Sequence, residues 1–167
     1  MRHRVVVVGP SVVDVVRLLG GWVFDRVTSG WDATVAVADH PDVRPLQILG
    51  ARTLDLETAL DNQTGPHPQV IAVSVDLFQA DERIRDGVMA TLDRGDMDIT
   101  LWGENWPANL DERFCTGQHH LSGAARVFKA QAMAAANAPT DAVVGTEVLR
   151  TAEMLSPRGG LRLVSAS

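Results

Sequence analysis

The stretch Arg4-Val5-Val6-Val7-Val8-Gly9-Pro10-Ser11 decides the fold. It is a short, almost wholly β-branched run that stops at a turn, and the residues after it recur at helical spacing. Four consecutive valines leave no polar face, so as a strand the run is buried on both sides, at the centre of a sheet covered by helices. Further apolar runs at residues 34–38, 52–56, 70–75 and 99–102 each end near a small or acidic residue, with helical patterns between most of them. The sequence therefore predicts an α/β fold: a three-layer α/β/α sandwich around a five-stranded or six-stranded, mostly parallel, Rossmann-like sheet. Residues 1–155 form one domain in this reading. Residues 156–167 are a C-terminal tail, or an edge strand through residues 161–164.

Composition narrows the partners. The chain has 167 residues, 46% hydrophobic and 22% charged, enough for one well-buried core. A formal charge of -6 supplies no cationic footprint for nucleic-acid phosphates or anionic lipid, so neither partner is expected. Cys115 is the single cysteine, which forbids an intrachain disulfide and points to a cytoplasmic setting. Lys129 is the single lysine beside fourteen arginines, a bias that reads as genomic.

Ser11 is a good N-cap for a helix carrying Val12, Val15, Val16, Leu19, Trp22 and Val23, although Gly20 and Gly21 weaken its middle and invite a break. Residues 57–69 are an abbreviated crossover rich in turn formers. The clearest helix follows the fourth strand, with Ile84, Val88 and Leu92 on one face and Gly95 as its stop. A polar loop covers residues 103–120, and an Ala-rich helix spans 121–136. Residues 142–144 form a sixth strand before a helix over 147–155, or the first turn of one longer helix.

Ligands of such sheets gather at the carboxyl edge where strand order reverses. With strand order 3-2-1-4-5, that crevice lies between the first and fourth strands and is lined by Gly9, Ser11, Asp76 and Leu77. Gly9-Pro10-Ser11 resembles a phosphate turn, but the G-x-G-x-x-G spacing is missing and Asp14 repels a pyrophosphate. Asp39 is the matching ribose partner at the end of the second strand. Strand-end acids Asp39, Asp55, Asp76 and Glu104 offer oxygen ligands or proton transfer, yet Asp in turns is also an ordinary cap. The loop joins Trp102, Glu104, Asn105, Trp106, Arg113, Cys115, His119 and His120, a set suited to a lid or to a staple on the core. Cys115, His119 and His120 lack the further ligands of a structural zinc site, so no metal is assigned. Neither a P-loop nor a G-x-S-x-G elbow occurs, and the cofactor is left unknown.

The expected ligand-binding residues are Gly9, Ser11, Asp39, Asp76, Trp102, Glu104, Trp106 and Arg113. Three function classes follow. The leading one is a non-enzymatic binding or regulatory module that recognises a small ligand or protein partner at the carboxyl edge. The second is a small enzyme using the strand-end carboxylates with Glu104, His119 or His120 for acid-base or metal-assisted chemistry. The third is a homo-oligomeric subunit that associates through an alanine face, Ala124, Ala130 and Ala134.

Overall fold

The computed structural model describes residues 3–61, 67–140, 143 and 145–152. Its elements in chain order are β1 (Arg4–Ser11), α1 (Val12–Thr28), β2 (Asp32–Asp39), α2 (Arg44–Ile48), β3 (Arg52–Asp55), α3 (Leu56–Asp61) and β4 (Val70–Ser74). There follow α4 (Val75–Ala80), α5 (Glu82–Arg94), β5 (Asp98–Trp102), β6 (Cys115–His120), α6 (Gly123–Ala135) and β7 (Thr146–Ala152). The strands form one sheet in the order β3-β2-β1-β4-β5-β7-β6. The first five pair in parallel, in the expected order. β7 pairs antiparallel with both β5 and β6, so the sheet is mixed and seven-stranded.

That is a correction to the five-stranded or six-stranded, mostly parallel sheet, and it has two local causes. Cys115–His120 shows no alternation of apolar residues because it is an edge strand exposed along nearly its whole length. The helix expected over residues 147–155, where Glu147, Leu149 and Arg150 are good helix formers, is replaced through Ala152 by the strand β7. Pairing of β7 with β5 on one side and β6 on the other overrides that propensity. Val143 lies outside any strand, whereas Ala142, Val144 and the expected tail fall outside the described residues.

Helices cover both faces. Val5 and Val7 of β1 are fully buried beneath α1, in a core shared with Leu46 of α2 and Met133 of α6. Val73, Leu101, Ile84 and Val88 belong to the core on the opposite face. Each such side chain contributes roughly 1.5–3 kcal/mol through removal from water. Helix α1 runs unbroken through Gly20 and Gly21. Gly21 is required there because a Cβ would overlap the side chain of Leu121, which closes α6 onto α1. On α6, Ala125, Lys129, Ala132 and Met133 turn inward, while Ala124, Val127 and Ala134 are exposed.

Among the described residues, no helix is long and apolar enough to cross a membrane.

Candidate functional site

The carboxyl edge gathers most of the expected residues into small polar pairs. Ser11 caps α1, its Oγ accepting from the Asp14 amide at 3.2 Å. Gly9 serves close packing, since a Cβ would stand 2.8 Å from Val15 Cγ2 and 3.0 Å from the Trp102 ring. Trp102 is itself buried and donates its indole N–H to the Ala72 carbonyl at 3.2 Å. Asp39 sits in register with Ser11 and is exposed. Next to it, His40 Nε2 lies 2.9 Å from Asp55, whose carboxylate also accepts from the Thr58 amide. That bond to Asp55 raises the His40 pKa and lowers that of Asp55.

The loop after β5 is tied down at several points. Glu104 meets Arg17 at 3.0 Å, and Arg17 also reaches Asp14 at 3.4 Å. The Glu104 bond leads in raising the Arg17 pKa. Asn105 donates to Asp76 at 3.1 Å and accepts from Gln79 at 2.8 Å through its carbonyl. Trp106 carries the Arg150 guanidinium over its ring, 4.5 Å from the centroid. Arg113 bonds Asp111 and Asp93, which pins the loop to α5 and raises the Arg113 pKa. These contacts make the loop through residue 114 a staple on the core.

β6 brings the histidines to the same edge. Trp102 and Gly117 both pair with Leu149, and His119 pairs with Glu147 two residues further on, so His119 stands beyond the end of β5. Its Nε2 is 2.7 Å from Asp25 of α1. Asp25 also accepts from the hydroxyl and amide of Ser122, at 2.6 and 3.2 Å. Burial opposes the charge on Asp25, but the bonds from Ser122 and His119 outweigh it and hold the carboxyl below the usual range. His120 is exposed, and in β6 it points to the opposite face from His119. Cys115 is exposed and free.

Several residues of this edge were not among the expected ones: Asp14, Arg17, Asp25, Ser122, Lys129 and Glu147. Glu147 is buried and accepts from the amides of Gly21 and Trp22 at 2.9 and 2.7 Å and from Lys129 Nζ at 2.7 Å. Arg17, Gly21 and Asp25 are spaced by four on α1, so one stripe of that helix receives Glu104, Glu147 and His119 from the ends of β5, β7 and β6. The i, i+3 spacing of Asp14 and Arg17 was visible in the sequence; the long-range partners left no local signal. Among the described residues, no group of three or more His, Cys, Asp or Glu side chains is placed to hold a metal ion. Asp14 and Glu104 instead share the cation of Arg17.

A cavity of about 450 Å³ lies away from this edge, on the α3 and α5 face of the sheet. Val6, Val8, Thr34 and Ile71 line it, and none of Gly9, Ser11, Asp76 and Glu104 does.

No family model and no curated protein matches the chain. Solved structures resemble it over nearly its whole length. A deacetylase in complex with teicoplanin, from the teicoplanin biosynthesis pathway, aligns with a TM-score of 0.64 at 12% identity, over 89% of this chain and 97% of that one. The A40926 pseudoaglycone deacetylase Dbv21 aligns at 0.61 and 14% identity, over 93% and 100%. The zinc-inhibited form of teicoplanin deacetylase Orf2 aligns at 0.61 and 12%, over 89% and 97%. At such identities the likeness establishes the fold. Because these neighbours are enzymes, the expectation of a non-enzymatic binding or regulatory module is corrected: the findings favour its enzymatic alternative, and the fold to which this chain is similar is that of deacetylases.

Proposed function

We propose that this chain is a hydrolase that removes a small acyl group from an amide-linked substrate at the carboxyl edge, with His119 as general base and Asp25 as its positioning partner. The observation that carries this reading is the end-to-end fold likeness to deacetylases, at TM-scores of 0.61–0.64. The chemistry is supplied by the His119–Asp25 pair at 2.7 Å. Asp25 accepts the Nε2 proton and fixes the tautomer, which leaves the Nδ1 lone pair as the base. Water adds to the acyl carbon as its proton passes to Nδ1. The C–N bond then breaks, and the proton moves from His119 to the leaving nitrogen, giving a carboxylic acid and an amine.

Arg17 and Asp25 are eight residues apart, about 12 Å along α1. In this reading the Arg17–Glu104 pair bounds the far end of the site and recognises polar groups of the substrate. The test is release of acetate from a panel of N-acetylated amino sugars, amino acids and glycopeptides by the purified protein. Turnover on at least one member supports the proposal, and release no faster than the buffer blank on every member rejects it.

A further inference from the structure

The cavity on the α3 and α5 face lies against one side of the central strand β1. Val5 and Val7 lie fully buried beneath α1, but Val6 and Val8 on the other side of the same central strand are half-buried. Of the link from β3 to β4, the described part is the six-residue helix α3, whose Leu56, Ala59 and Leu60 line the cavity. The floor is a single register row across five strands: Arg52, Thr34, Val6, Ile71 and Ile99. Four steps between strands make it about 19 Å long.

One end of this row is charged and the other is apolar. Arg4 and Arg52 both line the cavity. Among the described residues neither guanidinium has a carboxylate partner, whereas Arg83 and Arg94 on the opposite rim are paired with acids. Among the described lining residues Asp32, the register neighbour of Arg4, is the one acid, so Arg4, Arg52 and Asp32 together carry a positive excess. The wall adds an independent sign. Gly87 lies inside α5, where glycine costs roughly 1 kcal/mol relative to alanine, and it lines the cavity. A Cβ at Gly87 would meet nothing within 4 Å, so neighbouring side chains do not demand the glycine. Its effect is to keep the groove wide.

We propose that this groove binds a free long-chain carboxylate, with its alkyl chain along Val6, Ile71 and Ile99 and its head group at Arg4 and Arg52. Size and lining suit a ligand pocket, and charge complementarity selects an anion over a neutral or cationic amphiphile. The site is separate from the His119–Asp25 edge and does not rest on the hydrolase reading. Calorimetric titration of the full chain with sodium dodecanoate below its micellar concentration tests it, with dodecylammonium as the cationic control. The expected result is one saturable site for dodecanoate and none for dodecylammonium. Arg52→Glu weakens binding at least tenfold, and Gly87→Phe abolishes it without lowering the melting temperature. Absence of saturable dodecanoate binding overturns the proposal. Equal binding of both amphiphiles, or undiminished binding by a folded Gly87→Phe or Arg52→Glu variant, also overturns it.

Discussion

Asp25 and His119 stand ninety-four positions apart in the chain and 2.7 Å apart in the fold, joining the last turn of α1 to the edge strand β6. Ser122 completes the arrangement by donating twice to the same carboxylate. Because these bonds hold the Asp25 pKa below its ordinary value, its contribution to stability is fully present above the normal carboxylate range and is lost as pH falls through the depressed value. Thermal melts between pH 2 and 7 check this: the wild-type advantage over Asp25→Asn shrinks progressively on the acid side.

His40 behaves in the opposite sense. Its bond to Asp55 raises its pKa, so this pair stabilises the fold below the unfolded histidine value of about 6.5, and the contribution disappears as pH rises through the raised one. An NMR titration finds the His40 midpoint above that of a free histidine, and Asp55→Asn brings it down.

The buried Lys129–Glu147 pair predicts a large stability effect. Lys129→Met leaves a carboxylate buried with two backbone donors and no counter-charge, a loss of about 3–5 kcal/mol. Urea unfolding measures it. Lys129→Met combined with Glu147→Leu recovers most of the loss, since exchanging a whole buried pair for apolar groups is often near neutral.

Gly21→Ala is a packing test of the α1 and α6 contact. The added methyl group overlaps Leu121, so the substitution costs about 1–3 kcal/mol despite alanine's better helix propensity. Leu121→Ala in the same chain relieves part of that cost, which a double-mutant cycle of unfolding free energies reads directly.

The parallel half of this fold was legible because its signals are local. Val5 to Val8 announce a central strand, and Asp81 and Gly95 mark the ends of α5, with Asp81 accepting from the Arg83 amide and Gly95 in the left-handed conformation at φ 67°. The antiparallel addition was not legible. β6 has no buried face to impose alternation, and β7 carries a glutamate whose burial depends on Lys129 and on two amides of α1. The candidate site divides in the same way. Glu104, Asp76 and His119 were visible as residues of a long loop or strand end, but Asp25 looked like any acid on a helix surface.

Whether His119 acts as the base of a hydrolase is decided by comparing kcat for wild type and His119→Gln on an N-acetylated substrate that the protein turns over. The expected result is a fall of about 10²–10⁴-fold with the fold retained, and for Asp25→Asn a smaller loss with an altered pH profile. A His119→Gln variant that hydrolyses the same substrate at the wild-type rate contradicts it.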